Sequence, residues 1–250
     1  GDINTSTENT STLSYLDESL WVGPVIAKSL SKRHHLGLTI YYTARNYNRT
    51  VQDRTINETT GDATLFSEEK GIVGNAIVAV LGYQFVYNKY FSLGISFRPP
   101  AFEVAGTGSY YRTLISTSSG TVSIDSDSKS SLGSHTRIPG KLTGGLAFEY
   151  ESWLLTMDGS VYTAEAYDDY DDSDVKSRVD HRVMINGALG IQFNYQDFII
   201  ARMGWFTNLT SHKDLSESDK YGDRVDQLGF AANATMVTAE KINFTFGGYY

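Results

Sequence analysis

The segment FSLGISFRP, residues 91–99, alternates apolar side chains with small or polar ones. The apolar side chains, at odd positions from Phe91 to Phe97, point to one face of a strand. The small or polar ones, at even positions from Ser92 to Arg98, point to the other face. Such a strand belongs to a soluble sheet whose apolar face covers a core, or to a membrane barrel whose apolar face contacts lipid.

The composition narrows the class of protein. The chain has 250 residues, a net charge of −8, no cysteine, 17 Tyr, 12 Phe and 23 Gly. The length suits one β domain or two small ones. The acidic balance lacks the basic footprint of a nucleic-acid-binding protein, and the absence of cysteine excludes disulfides and thiolate metal sites. No stretch approaches the roughly 18 consecutive apolar residues of a membrane helix.

The same alternation recurs along the chain and predicts about ten strands. Most run for about 9–12 residues, which suits tilted membrane strands better than the shorter strands of globular proteins. The strand at 18–30 is weaker, because Pro24 predicts an irregularity there. The other predicted strands lie at 35–45, 76–87, 91–99, 141–151, 153–162, 185–195, 198–206, 226–236 and 242–250.

The connections alternate between short and long. Short turns are predicted at 31–35, 88–90, 151–152, 196–198 and 239–241, and aromatic residues flank most of them. Long, polar outer loops are predicted at 49–70, 105–137, 164–180 and 209–224, and residues 1–17 form a loop or terminal segment. Short turns on one side and long loops on the other, with aromatic residues at one level, are typical of bacterial outer-membrane barrels.

Hairpin registers support this interpretation. Closing the turn at 196–198 pairs Tyr195 with Ile199 and Gln192 with Arg202, so apolar meets apolar and polar meets polar. A turn at 151–152 likewise pairs apolar Phe148 with Leu155, and places Gly145 opposite Asp158. A one-residue slip would scramble both sets.

We therefore predict an all-β fold: a single domain, residues 1–250, forming a transmembrane antiparallel up-and-down β-barrel of the bacterial outer membrane. A soluble β-sandwich with aromatic strand ends is the alternative, but long two-faced strands with loops segregated by length are atypical of sandwiches. The loop pattern puts both ends of the chain on the outer side. We therefore expect strands to be missing at both ends, although the alternating apolar residues up to Tyr250 resemble a genuine barrel C-terminus.

The segment RIPGKLTGGLAFEYESWLLTMDGSVY, residues 137–162, resembles the FadL-like family of outer-membrane transporters of hydrophobic compounds. The resemblance rests on a proline-started strand with a Gly-x-Ala-aromatic pattern, a tight turn and a strand with a lumenal Asp. GALGIQFNYQDFIIARMGW, residues 187–205, and LGISFRPP, residues 93–100, resemble further strands of the family in the expected order. The matching residues of the first segment are Pro139, Gly145, Ala147, Phe148 and Asp158.

This resemblance implies a 14-stranded monomeric barrel that carries fatty acids or aromatic hydrocarbons across the outer membrane. Two family features have no match in this sequence: the N-terminal plug with its Asn-Pro-Ala signature, and a final strand. Both departures fit a barrel that lacks its ends.

Polar side chains on the inner faces are the candidates for a ligand pathway. Inward arginines can pair with carboxylates in a ladder that stabilises the barrel, or they can bind the carboxylate of a ligand. The candidates are Tyr41, Arg45, Gln84, Arg98, Glu149, Asp158, Asn186, Gln192 and Arg202.

We expect no enzymatic activity, no metal and no cofactor. The five histidines fall in turns, loops or strand ends, and the sequence places no serine–histidine pair on rigid strands. The acidic segment YDDYDDSD, residues 167–174, is interpreted as a solvated loop, with a calcium site as the alternative.

The expected function is transport of small hydrophobic molecules such as fatty acids through the lumen. The expected partners are outer-membrane lipids, lipopolysaccharide and a hydrophobic ligand, with no nucleic acid. Two alternatives stay open: a porin for polar solutes, and a surface adhesin or structural barrel whose long loops bind partners.

Overall fold

The computed structural model describes residues 7–175, 178–196, 198–211, 226–237 and 243–250. These residues form fifteen strands. Across those ranges no helix is long and apolar enough to cross a membrane. The strands are β1 (Thr7–Val22), β2 (Val25–Ser29), β3 (His34–Asn57), β4 (Ala63–Val86), β5 (Phe91–Arg98), β6 (Phe102–Ser118), β7 (Thr121–Gly133), β8 (Lys141–Tyr150), β9 (Trp153–Tyr162), β10 (Glu165–Asp168), β11 (Arg178–His181), β12 (Met184–Tyr195), β13 (Ile199–Asn208), β14 (Gln227–Val237) and β15 (Asn243–Tyr249).

Thirteen of these strands form one antiparallel sheet. Its main path runs β1-β3-β4-β5-β8-β9-β12-β13-β14-β15, while β2 pairs with β3, and β6 lies between β4 and β7. The strands β10 and β11 form a separate two-stranded sheet. This antiparallel, up-and-down order confirms the predicted fold class. Among the described residues, β1 pairs only with β3 and β15 only with β14, so both ends of the main path are free, and β7, which pairs only with β6, is a further edge strand.

The predicted hairpin registers are confirmed. Tyr195 pairs with Ile199 and Gln192 with Arg202 across the β12–β13 turn. Gly145 faces Asp158 across the β8–β9 turn. The registers follow from the alternation itself, because any one-residue slip would exchange the two faces.

Prolines interrupt the strand pairing at two places, and at each place the chain continues along the same neighbouring strand. Gly23 and Pro24 separate β1 from β2, although both strands pair with β3. Pro99 and Pro100 separate β5 from β6, although both pair with β4. Proline cannot donate a ladder hydrogen bond, so the pairing breaks at these positions and resumes beyond them.

Two of the predicted outer loops were wrong in their secondary structure. The predicted loop 49–70 contains the ends of β3 and β4, each 24 residues long, and the predicted loop 105–137 contains most of the β6–β7 hairpin. Residues 7–17, assigned to a terminal segment, belong to β1. Beyond the lipid both faces of a strand meet water, so the apolar alternation that reveals membrane strands disappears while the pairing continues. One side of the sheet therefore extends far beyond its lipid-facing band.

The predicted loop 164–180 contains the short strands β10 and β11. The segment between them packs against the inner face of the sheet, where Tyr170 and Val175 join Ile72 and Tyr110 in a small apolar cluster. Of the predicted loop 209–224, residues 212–224 lie outside the described residues.

Exposure along the strands is inverted relative to a soluble protein. Ile40, Leu81, Phe148 and Trp205 are each 41–51% exposed on the outer face, and every strand of the main path carries such a residue. Burying one large apolar side chain contributes roughly 1.5–3 kcal/mol, so an aqueous surface of this kind would be very unfavourable. The outer face is therefore a lipid-facing surface, and the β-sandwich alternative was wrong.

Candidate lumen and ligand pathway

The inner face of the sheet lines a cavity of about 490 Å³. We call it the upper cavity, because it lies on the side of the extended ends of β3 and β4. Its walls are β1, β3 and β4, together with two segments that fold inward: residues 134–139 and the β10–β11 sheet. Aromatic side chains line much of it, including Tyr15, Trp21, Tyr47 and Tyr167. Tyr167 is 9% exposed, and its ring lies 5.9 Å from the guanidinium carbon of Arg137.

Arg45 and Asp17 form an ion pair in this cavity. The Nε and Nη2 atoms of Arg45 each donate to an Asp17 carboxylate oxygen at 2.7 Å. The Arg45 guanidinium also lies 5.5 Å from the centre of the Tyr47 ring. Tyr41, another candidate from the sequence, packs edge-on against Trp21 at 5.7 Å. Asp17 is not among the residues predicted from the sequence, because residues 1–17 carry no apolar alternation that marks a strand.

Glycines on the inner face make room for the segments that fold inward. A β-carbon at Gly108 would collide with the Tyr170 ring, and one at Gly74 would collide with Thr136. The Tyr170 hydroxyl donates to the backbone carbonyls of Ser109 at 3.0 Å and Gly71 at 3.3 Å. Burial raises the pKa of Tyr170 above its ordinary value, so the hydroxyl stays protonated and remains a donor.

Part of the acidic segment 167–174 forms ion pairs with the side chain of Lys129. The prediction of a freely solvated loop was therefore wrong for that part. Lys129 Nζ lies 2.8 Å from Asp172 and 3.2 Å from Asp174. The hydrogen bond from Lys129 lowers the pKa of Asp172. Over the described ranges, no group of three or more His, Cys, Asp or Glu side chains is arranged to hold a metal ion, so the calcium alternative gains no support.

His135 joins two elements through its ring. Its Nδ1 atom lies 2.9 Å from a Glu103 carboxylate oxygen, and its Nε2 atom lies 2.8 Å from an Asp171 carboxylate oxygen. The hydrogen bonds to Glu103 and Asp171 raise the pKa of His135. The ring therefore holds the inward segment of Asp171 against the start of β6.

A second inner network spans β12, β13, β14 and β15. Arg202 Nε donates to Gln192 Oε1 at 2.8 Å, and its Nη1 donates to Thr235 at 3.0 Å and Asn233 at 3.3 Å. The network extends to β15, because Thr235 Oγ1 lies 3.0 Å from Thr245 Oγ1. These contacts have the form of the structural ladder considered from the sequence, built from neutral acceptors rather than carboxylates.

The remaining candidates lie elsewhere on the inner face. Asn186 accepts a hydrogen bond from the Leu209 backbone at 2.9 Å. Gln84 and Asp158 line a second cavity of about 400 Å³. We call it the lower cavity, because it lies nearer the short turns. Glu149 lies exposed near the short turn that ends β8. The candidates are therefore spread along the lumen and do not converge on one point.

Arg98 differs from Arg45 and Arg202 in its contacts, and it shares with Arg49 a buried Nε atom. Its Nη2 atom donates to the Pro139 carbonyl at 3.0 Å. Its Nε atom is buried and has no hydrogen-bond acceptor among the described residues.

The structure contains two serine–histidine hydrogen bonds that the sequence did not place. Ser29 Oγ lies 2.9 Å from His35 Nδ1, and Ser211 Oγ lies 2.9 Å from His181 Nδ1. His181 and Ser211 line the upper cavity, and His35 lines the lower one. The sequence alone did not place these two pairs, because each joins residues whose proximity depends on strand pairing or on the inward segments.

An antiparallel sheet with a lipid-facing apolar side and a polar inner side has the fold of a multi-pass outer-membrane β-barrel. Comparison with solved structures supports this assignment. The "TodX deltaS2S3 mutant monoaromatic hydrocarbon channel" matches at a TM-score of 0.62 and 14% identity, over 98% of this chain and 67% of that one. The resemblance to FadL-like transporters is thereby confirmed at the level of the fold.

Two further solved structures match less closely. They are the "CymD monoaromatic hydrocarbon channel", at 10% identity, and the Pseudomonas putida toluene transporter TodX, at 9% identity. Each has a TM-score of 0.47 over 97% of this chain and 81% of the other chain. No protein-family model and no curated protein sequence matches the chain.

Proposed function

We propose that this protein is a channel of the bacterial outer membrane that admits small hydrophobic molecules through its lumen. The observation that carries the proposal is the aromatic-lined cavity of about 490 Å³ on the inner side of a sheet whose outer side is apolar. Its size lies in the range of roughly 300–1,000 Å³ found for small-molecule sites. Aromatic walls favour an apolar ligand, because its burial releases water at roughly 25 cal/mol per Å² of apolar surface.

The inward segments favour a selective channel over an open porin. Residues 134–139 and β10–β11 occupy the lumen and are held by ion pairs and by Tyr170. A polar solute porin needs a continuous water-filled bore. Fatty acids are included among the proposed substrates on the strength of the family resemblance, and monoaromatic hydrocarbons because the matched channels are described as carrying them.

Uptake by cells tests the proposal. The protein is expressed in a Gram-negative host that lacks its own hydrophobic uptake channel, and entry of labelled toluene, octanoate and arabinose is measured. We expect faster entry of toluene or octanoate, since the lipopolysaccharide leaflet otherwise slows them, and no change for arabinose. Faster entry of arabinose alone would identify a polar porin and overturn the proposal.

A matched pair of variants tests whether the ligand passes through the upper cavity. Ser19 lines the upper cavity, whereas Ser14 lies outside it on the same strand. Ser19→Trp fills the cavity and should reduce uptake at least several-fold. Ser14→Trp should leave uptake unchanged, and equal effects of the two variants would contradict a path through this cavity.

A further inference from the structure

Two apolar grooves lie side by side on the lipid-facing side of the sheet. The register partners Tyr83 on β4 and Ile95 on β5 line both grooves and form the ridge between them. The first groove, of about 430 Å³, lies towards β2 and β3, and Leu36 is part of its lining. The second groove, of about 460 Å³, lies towards β8 and β9, where Gly144 leaves open space on the same face. Because both grooves face hydrocarbon, the occupant that the bilayer supplies is an acyl chain.

A hydrogen bond holds the ridge between the two grooves in place. The hydroxyl of Tyr83 lies 2.7 Å from His34 Nδ1, and the centres of the His34 and Phe85 rings lie 5.0 Å apart. These contacts restrain the Tyr83 side chain before any lipid binds. A lipid whose chains lie on either side of the ridge therefore meets a preformed surface, which lowers the entropic cost of binding.

A lysine lies at the turn-side end of the first groove. Lys28 on β2 lines this groove and is the register partner of Leu36, near the start of β3, so its side chain leaves the strand on the lipid-facing side. A charge in hydrocarbon is unfavourable, but a long side chain close to a strand end can reach the level of the lipid headgroups. Lys28 therefore places an ammonium group where the groove meets the headgroups.

Three further cations lie at the same corner of the short-turn side. Lys32 and Arg33 lie in the turn between β2 and β3, Lys89 lies in the turn between β4 and β5, and all three are exposed. The two turns are adjacent, because the Val86 backbone N–H donates to the Arg33 carbonyl at 2.8 Å. No salt bridge within the described ranges includes Lys28 or any of these three. By contrast, the described residues of the short turns after β8 and β12 include no lysine or arginine.

We propose that this surface binds one anionic phospholipid of the periplasmic leaflet. Its two acyl chains lie in the two grooves, and its phosphate accepts hydrogen bonds from Lys28 and Arg33, because ammonium and guanidinium groups are strong donors to phosphate. The four clustered cations favour an anionic headgroup over a zwitterionic one. The short turns of outer-membrane barrels face the periplasm, so the lipid at this level is a phospholipid and not lipopolysaccharide. The inference does not depend on which molecules pass through the lumen.

Native mass spectrometry of the purified full chain in a non-ionic detergent tests the site. Phosphatidylglycerol and phosphatidylethanolamine with identical oleoyl chains are added in equal amounts. We expect one phosphatidylglycerol to stay bound per chain, in at least about fivefold excess over phosphatidylethanolamine. In Lys28→Gln this preference should fall at least about threefold, whereas Lys28→Arg keeps the charge and should retain it. Lys70→Gln, which removes a cation from the inner side of β4, is the matched control.

A second pair of variants tests the grooves. Leu81 lines the first groove and is 51% exposed, whereas Leu142, on the lipid-facing side of β8, is 46% exposed and lines neither groove. Leu81→Trp fills the groove and should lower the retention of phosphatidylglycerol at least about threefold. Leu142→Trp should leave retention unchanged.

Four outcomes would overturn the proposal. Equal retention of the two lipids by the unmodified protein would exclude a site for an anionic headgroup. A preference that is unchanged in Lys28→Gln would exclude this cation cluster, and equal effects of the two tryptophan variants would exclude the grooves. The unmodified protein provides a measurement that needs no variant, because salt screens exposed charges and its preference should weaken as the ammonium acetate concentration is raised. A preference that is insensitive to salt would contradict a headgroup held by exposed cations.

Discussion

Arg45 on β3 binds Asp17 on β1 through two parallel hydrogen bonds of 2.7 Å, and this pair connects the first strand of the sheet to its neighbour inside the lumen. Both side chains are less than one-third exposed, at 29% and 28%. Removal of the carboxylate would leave a partly buried guanidinium without its anion, which is more unfavourable than loss of an exposed pair.

Asp17→Asn should therefore destabilise the folded protein by about 1 kcal/mol, after allowance for screening by water at this partly exposed site. The free energy of unfolding is measured by tryptophan fluorescence in detergent with increasing urea. Asp125→Asn changes an exposed carboxylate on β7 and is the control. Equal destabilisation of the two variants would show that the pair adds nothing to stability.

Gly108→Ala should release the inward segment that carries Tyr170. The new β-carbon would occupy the space of the Tyr170 ring, so the ring would have to leave its position over β6. Limited proteolysis should then cut within residues 165–175 at least several times faster than in the unmodified protein. Gly144→Ala is the matched control, since no atom lies within 4 Å of a β-carbon there. Unchanged cleavage of Gly108→Ala would mean that the ring can shift without releasing the segment.

Docking of the same segment should weaken as the pH rises through the region where His135 titrates. Glu103 and Asp171 raise the pKa of His135 above its ordinary value of 6.5, so the stabilisation is complete below about 6.5 and is lost as the pH rises through the folded-state pKa. The effect should stay below about 1 kcal/mol because these side chains are partly exposed. Hydrogen exchange of residues 165–175, corrected for intrinsic rates, should show more protection at pH 5.5 than at pH 8. A pH dependence that persists in His135→Gln would assign it to another group.

Arginine on the outer face should be far more disruptive than arginine on the inner face of the same strand. Met157 is 50% exposed on the outer side of β9, and its neighbour Thr156 points inward. Met157→Arg should lower the free energy of unfolding from a bilayer by roughly 2–4 kcal/mol, because the charge would meet hydrocarbon. Thr156→Arg places the charge in the lumen and should change it by less than about 1 kcal/mol. The reverse order of the two effects would invert the assignment of the faces.

The hairpin registers could be predicted from the sequence because they depend on local alternation. Gln192 and Arg202 are ten residues apart across a short turn, and only one register keeps apolar side chains together. The extended ends of β3 and β4 could not be predicted in this way. Their pairing continues into water, where no apolar face is needed and the alternation fades.

The contacts of the inward segments could not be predicted from the sequence either. Tyr170 meets Ser109, 61 positions away, and His135 meets Glu103 and Asp171 on two different elements. An acidic run such as residues 167–174 has the composition of a solvated loop whether or not it packs. Only its position against glycines of the sheet makes Tyr170 a buried anchor.

The sequence by itself determined which side of each membrane strand meets lipid, because the alternation of side chains has a period of two and hydrocarbon accepts only apolar ones. It placed Arg45, Arg98 and Arg202 alike, each pointing inward on a strand. The tertiary structure alone decided their differences, since a partner for an inward charge comes from another strand or a distant segment. Arg45 binds Asp17, Arg202 binds neutral side chains, and Arg98 donates to the backbone carbonyl of Pro139.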